Sequence, residues 1–276
     1  IWCADELMRD NANLPTSLLA QTASQSLRVV FSGEGGDEVF AGYGRYASHG
    51  LESLVKNWLA PGSGGFRTRG MFRGQLLRQL FTPEFLPFAN SFRQPIRHAW
   101  NACPSAWSSL QKKQYTDLLT ALPDNLLVKA DRMLMGFGLE GRVPFVDHRV
   151  VEFGLSLPDQ LKIKGKDKKY FLKKWASRWL NHEQLFSRKR GFVVPMEAWL
   201  SDAGLNRLEA CLPRHPAFEN RFKPEGVRAL IRQQRRQKSR HRYLWTLIQL
   251  AIWHKLFVQA DGRPPPLRQD PLELLD

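Results

Sequence analysis

The feature that most constrains this chain is the run Val29-Val30-Phe31-Ser32-Gly33-Glu34-Gly35-Gly36-Asp37-Glu38-Val39-Phe40-Ala41-Gly42-Tyr43, where an apolar strand meets a glycine-punctuated acidic turn and then a helix. Gly33, Gly35 and Gly36 let the backbone take positive φ, approach a ligand closely and aim its amides at an anion such as phosphate. Glu34, Asp37 and Glu38 add hard carboxylate oxygens for a magnesium ion travelling with a polyphosphate, with one carboxylate left over as a base. The turn therefore reads as nucleotide chemistry. The competing reading is conformational: Gly and Asp make a tight strand-to-helix connection, with Asp37 or Glu38 in the cap or first turn.

Around this turn the organisation is mainly helical. Apolar spacing predicts a helix over 14–26, with Pro15 near its start, and a short buried strand over 27–31. Strand, turn and helix would form the end of an α/β unit covering residues 1–60. The run Ala60-Pro61-Gly62-Ser63-Gly64-Gly65, followed by Arg67, Arg69 and Arg73, marks residues 61–75 as a flexible loop or insertion. Helical periodicities dominate 76–260, at 76–81, 95–103, 105–122, 150–156, 170–180, 226–237 and 243–259. Pro264-Pro265-Pro266 predicts an extended, poorly ordered tail over 261–276. The fold class expected is α/β, mainly α, with a small β remnant.

Charge raises a rival function. The 41 Lys+Arg against 26 Asp+Glu give a formal net charge of +15, the footprint of a nucleic-acid binder. The densest cluster is Arg232, Arg235, Arg236, Lys238, Arg240 and Arg242. No zinc-finger, helix-turn-helix or aromatic ribonucleoprotein pattern accompanies it, and it leads directly into an apolar helix, so a solvated basic face is the preferred reading. Three cysteines, Cys3, Cys103 and Cys211, at wide spacing give no disulfide framework and favour a reducing compartment. The seven histidines, His148 among them, lack ligand spacing, so zinc is not supported. The most apolar segment, 243–257, is too short to span a membrane and is broken by Thr246, Gln249 and His254. With no secretory signal, the cytoplasm is the expected location.

The motif Ser32-Gly33-Glu34-Gly35-Gly36-Asp37-Glu38-Val39-Phe40-Ala41-Gly42-Tyr43 closely resembles the signature in the synthetase domain of glutamine-dependent asparagine synthetases. The resemblance continues in order through Leu122-Pro123-Asp124-Asn125-Leu126-Leu127-Val128-Lys129-Ala130-Asp131-Arg132-Met133, Gly138-Leu139-Glu140-Gly141-Arg142-Val143-Pro144-Phe145-Val146-Asp147 and Gly165 to Lys173. Arg188-Lys189-Arg190-Gly191-Phe192 and Leu244-Trp245 through Trp253 complete it, so that it covers residues 5 to about 257. Leu7 departs from the family, which usually has proline there. The family's glutaminase domain, with its N-terminal cysteine nucleophile, and its Ser-Gly-Gly-x-Asp-Ser pyrophosphate loop have no counterpart in this sequence. The expectation is therefore a C-terminal part of a longer protein.

What the resemblance implies is specific. The fold would be the last part of an adenine-nucleotide-hydrolase-like, Rossmann-related ATP pyrophosphatase domain with a helical C-terminal region. The intact enzyme would use ATP and Mg2+ to activate a carboxylate, aspartate in the family's name-giving reaction, as an acyl-adenylate that ammonia from glutamine attacks. Glu34 would accept a proton from the attacking nitrogen and Asp37 would hold magnesium. Ser32, Gly33, Gly35, Gly36 and, more weakly, Arg149 would face ATP or pyrophosphate. Lys169 would offset charge growing in the transition state, an effect of about 3 kcal/mol. Without the resemblance, Lys169 reads as part of a lysine-rich helix start on a wet surface. Glu140, Arg142 and Asp147 suggest a buried ion network, and Arg188, Lys189 and Arg190 face either the site or solvent. Partners would be small molecules, with a homodimer of the intact protein also expected and no membrane. Two alternatives stay open: a relative acting on a cell-wall, exopolysaccharide or antibiotic intermediate, or closing a β-lactam, against which Glu34 argues; and a non-enzymatic basic nucleic-acid-binding domain.

Overall fold

The computed structural model describes residues 1–8, 10–47, 70–187, 194–260 and 270–275, together with Val55, Trp58, Gly191 and 263–265. The chain is a mainly helical α/β structure with few strands. It divides into two compact units interleaved in sequence. One comprises Ile1–Leu14, Arg69–Ser91 and Val193–Asp276, the other Pro15–Thr68 and Phe92–Phe192.

The second of these carries the acidic turn. Its strand Val29–Phe31 pairs in parallel with Glu140–Arg142, in the register Val29↔Glu140, Val30↔Gly141, Phe31↔Arg142. Alternation sends Val30 toward Ala20, Leu134 and Leu139, whereas Val29 and Phe31 are 51% and 81% exposed. The strand expected to be buried is thus covered on one face only. Helices are what cover the faces of a parallel sheet, and among the described residues they pack on the Val30 side alone. Gly141 lets the Leu134 side chain pack close, since a Cβ there would lie 2.6 Å from Leu134 Cδ1.

Helices Arg93–Asn101, Ser109–Leu119, Val128–Met135, His148–Ser156 and Tyr170–Ala176 build the rest of this unit. Ser109–Leu119 starts on a capping box, with the Ser108 hydroxyl accepting from the Gln111 amide and the Gln111 side chain accepting from the Ser108 amide. His148–Ser156 starts where the Asp147 carboxylate accepts from the Arg149 amide. A small antiparallel hairpin, Ile163–Lys164 against Asp167–Lys168, turns at Gly165 with φ 59° and delivers the chain to Tyr170–Ala176.

The other unit has its own core. Helices Asp202–Cys211, Pro224–Gln237 and His241–His254 bury Leu205, Leu208, Leu230, Ile231, Leu244, Leu247 and Ile248 in one cluster with Leu80 and Phe81. Gly226 permits the close approach, since a Cβ there would collide with the Gln79 carbonyl oxygen. The apolar run at 243–257 is therefore core, and no helix among the described residues is long and apolar enough to cross a membrane. The helix expected from residue 76 begins at Gly74, and residues 61–69 of the expected loop lie outside the described residues. Where an extended tail was expected, Glu273–Leu275 form a single 3-10 turn and Leu275 is buried in the same cluster. Positions 261, 262, 266–269 and 276 of that tail lie outside the described residues.

Candidate active site

Ser32 continues the sheet by one bond, its amide donating to the Arg142 carbonyl at 2.8 Å, and its hydroxyl accepts from the Glu34 amide at 3.4 Å. The chain then reverses through Gly35, whose φ of 87° is left-handed and whose Cβ, if present, would sit 2.6 Å from Val146 Cγ2. Both facts demand glycine. Gly36 opens the four-residue helix Gly36–Val39; a Cβ on it would lie 3.2 Å from Phe145 Cδ2 and 3.5 Å from Lys169 Nζ. Gly33 has open space around it, so packing alone does not require glycine there.

The acids of the turn separate by environment. Asp37 Oδ1 lies 3.1 Å from Lys169 Nζ, both side chains partly exposed. Glu34 Oε1 lies 3.5 Å from Lys129 Nζ on the Val128–Met135 helix, and the Lys129 side chain is nearly buried. Glu38 is fully buried and accepts from the Tyr43 hydroxyl at 2.7 Å. Burial pushes its carboxyl above the usual carboxylate range against the opposing Tyr43 hydrogen bond. Two carboxylates, Glu34 beside Lys129 and Asp37 beside Lys169, therefore reach solvent, and the third is part of the core.

Lys169 is placed by the hairpin rather than by a helix. It occupies the N-cap position of Tyr170–Ala176 with φ 54° and ψ 34°, a left-handed conformation that a long side chain adopts at a cost of about 1 kcal/mol or more. Beneath the ion pair lies Gly42: a Cβ on it would collide with Asp37 Oδ1 and Lys169 Cε. Lys129 and Gly42 both stand inside the motifs that resemble the family, and neither motif marks a role for them. Gly42 carries a detectable signal, a fourth glycine soon after the strand, following Gly33, Gly35 and Gly36. Lys129 has none, because a lysine on an amphipathic helix is ordinarily a solvated one.

The remaining expectations fall outside this cluster. Arg149 folds back on its own helix cap, donating from Nε and Nη2 to the two Asp147 oxygens at 3.0 Å each. The hydrogen bonds from Arg149 hold the exposed Asp147 carboxyl down to about 2. The expected buried network of Glu140, Arg142 and Asp147 is not formed. Arg142 pairs with Glu140 at 3.4 Å, both well exposed, and Asp147 pairs with Arg149. The strand end that carries Glu140 and Arg142 points both side chains away from the covered face, so neither is desolvated. Arg188, Lys189, Arg190 and Phe192 lie outside the described residues. Arg232, Arg235, Arg236 and Lys238 are exposed, on and just beyond the helix whose other side buries Val227, Leu230 and Ile231. Arg235 is engaged within its own unit, by Glu209 at 3.2 Å and by Asn206 at 2.8 Å.

Can such a turn hold a metal and a nucleotide? Among the described residues there is no group of three or more His, Cys, Asp or Glu able to hold an ion by protein ligands alone. Asp37 supplies one hard carboxylate, which suits magnesium carried in by phosphates rather than a resident protein-only site. Lys169 beside Gly36 supplies a cation next to the backbone that an anion would approach.

Comparison with known proteins places the chain in a family. The asparagine synthase family model matches residues 1–255. The chain is 27% identical to asparagine synthetase [glutamine-hydrolyzing] 1 of Bacillus subtilis, over 100% of this chain and 48% of that protein. It is 28% identical to a putative asparagine synthetase [glutamine-hydrolyzing] of Mycobacterium bovis, over 96% of this chain and 45% of that protein. It is 21% identical to amidase chyE of Penicillium rubens, over 72% of this chain and 37% of that protein. The chain thus spans about half the length of the asparagine synthetases it matches. With the family model covering residues 1–255 and the signature turn folded around Asp37 and Lys169, the chain belongs to the asparagine synthase family.

Proposed function

We propose that this chain supplies the C-terminal part of the synthetase domain of an ATP-dependent carbon–nitrogen ligase, which converts a carboxylate to an amide with ammonia derived from glutamine. Aspartate is the substrate favoured, and the fold would be the last part of an ATP pyrophosphatase-like domain. The observation that carries the reading is the Lys169–Asp37 pair at 3.1 Å over Gly42, which joins two distant motifs into one charged cluster.

In the proposed chemistry the chain's residues act separately. Lys169, held in place by its left-handed backbone, offsets negative charge as the carboxylate oxygen bonds the α-phosphorus and pyrophosphate leaves. Asp37 would hold a magnesium ion, which when bound would supply charge neutralisation of the phosphates. Glu34, 3.5 Å from the Lys129 ammonium, is placed to take the proton lost when ammonia attacks the activated carboxyl. Ser32, Gly33, Gly35 and Gly36 form the close-approach backbone for phosphate, and Arg149 would have to leave Asp147 to reach it.

The test is incubation of the protein that contains this chain, together with the upstream half, with Mg-ATP, aspartate and ammonia. Stoichiometric asparagine, AMP and pyrophosphate are expected. Residues 1–276 alone should show no synthesis and no Mg-ATP binding detectable by equilibrium dialysis. Formation of ADP, or tight ATP binding to residues 1–276 alone, would overturn the reading.

A further inference from the structure

The helix that carries Asp37 is four residues long, Gly36–Val39, and cannot sustain itself. Its last three carbonyls face the problem common to all helix ends, of needing donors from elsewhere. The Asp37 carbonyl accepts from the Gly42 amide at 2.8 Å. The next two are met by one side chain: Gln114 Nε2 donates to the carbonyls of Glu38 and Val39, each at 2.7 Å. Gln114 is fully buried, so its donors are shielded from bulk solvent.

What fixes Gln114 is a buried lysine. Lys162, 1% exposed, donates from Nζ to Gln114 Oε1 at 2.9 Å and to the Leu155 carbonyl at 3.0 Å. An ammonium has only donors and a carbonyl only accepts, so the amide of Gln114 has one satisfactory orientation: oxygen toward Lys162, nitrogen toward the turn. Both oxygens that hold Lys162 are neutral, and burial without a carboxylate partner lowers its pKa to about 8 in spite of Asp159 nearby. A leucine or methionine would fill such a place at lower desolvation cost, but neither could donate to the Gln114 oxygen.

We propose that Lys162 and Gln114 form a positioning relay that clamps the end of the Gly36–Val39 helix and thereby fixes the Asp37 carboxylate opposite Lys169. The activity arm of its test rests on the function proposed above; the structural arm does not. Gln114→Glu is the decisive variant, because a carboxylate still accepts from Lys162 and keeps the core filled but has nothing to donate to the two carbonyls. Lys162→Met is its counterpart, leaving the Gln114 donors but removing what orients them.

In the native chain, NMR should show the Gln114 side-chain amide protons exchanging slowly with solvent. In Gln114→Glu and Lys162→Met the backbone signals of residues 36–40 should shift or broaden. In the complete protein both variants should lower kcat for amide formation about tenfold or more, with KM for ATP within about twofold, as expected when a reacting group is displaced rather than a binding surface lost. Rapid exchange of the Gln114 amide in the native chain would overturn the relay even if neither variant folds. So would unmoved 36–40 signals, or a native kcat, in Gln114→Glu. If the native complete protein makes no amide while the NMR results hold, the function falls and the relay stands.

Discussion

Replacing Gly42 with alanine separates what holds the fold from what holds the site. Gly42 is absent from the positive-φ positions, so alanine suits its backbone and should gain about 0.4–1 kcal/mol by restricting the unfolded chain. The new methyl would occupy the space of Asp37 Oδ1 and Lys169 Cε. Both obstacles belong to side chains, so they can swing aside without moving the backbone. What is lost is the ion pair, whose partners are 19% and 27% exposed, worth about 1 kcal/mol after solvent screening. The two contributions nearly cancel, and thermal unfolding of residues 1–276 should shift by no more than about 4 °C. Catalysis by the complete protein has no such compensation. Displacing one preorganised charge should lower kcat for amide formation by about 10²–10³. Gly154→Ala is the contrasting control: its Cβ would meet Val39 Cγ1 and lie 2.9 Å from the Val39 carbonyl oxygen, which is backbone, so a loss of about 1–3 kcal/mol is expected. Calorimetry on the chain and an amide assay on the complete protein read the two effects. A Tm loss in Gly42→Ala as large as in Gly154→Ala, or an unchanged kcat, would refute the reasoning.

Two further outcomes follow from particular contacts. Burial, with His254 and Lys255 adding repulsion, lowers the His215 pKa to about 4, so this histidine is neutral in the fold and gains a proton on unfolding below about 6.5. Its contribution is complete above pH 6.5 and is lost as pH falls toward 4, by at most about 3 kcal/mol; urea midpoints between pH 7.5 and 4 should fall more steeply for the native chain than for His215→Phe, and parallel curves would contradict this. Lys129→Met should slow ammonia attack about tenfold while leaving ATP–pyrophosphate exchange near native, because its partner Glu34 acts only in the second step; equal losses in both steps would remove Glu34 from the role of base.

The local signals in the sequence were those with a short physical range. Gly35 needs a left-handed φ and a bare α-carbon, and a glycine in an acidic turn after an apolar strand says so directly. The amphipathic helices at 148–156 and 224–237 carry their faces in their own spacing. Elements with mixed signals were less legible. Asp202–Cys211 gives no clear periodicity in sequence, because Asn206 and Arg207 stand between its buried Leu205 and Leu208 and its start rests on a single hydroxyl cap at Ser201. Val128–Met135 follows a π-helical turn at Leu122–Leu127 with Pro123 as its second residue, which hides the 3.6 period.

Partnership between distant residues is what no periodicity reports. Asp37 was singled out for its charge and Lys169 for its motif, yet that they stand 3.1 Å apart depends on a hairpin that turns at Gly165 and on a Gly42 with no side chain. The expected burial of Glu140, Arg142 and Asp147 failed for the converse reason. Apolar neighbours in sequence alternate faces along a strand, so Val143 and Leu139 do not desolvate the charges between them. Lys162 shows the same limit from the other side: in sequence it is one more lysine in Leu161-Lys162-Ile163-Lys164, and only the fold makes it a buried cation whose neutral partners give it a directional task. The chemistry of this chain is therefore carried by two layers. Motif glycines and carboxylates set what the turn can contact, and buried groups remote in sequence set where that turn stands.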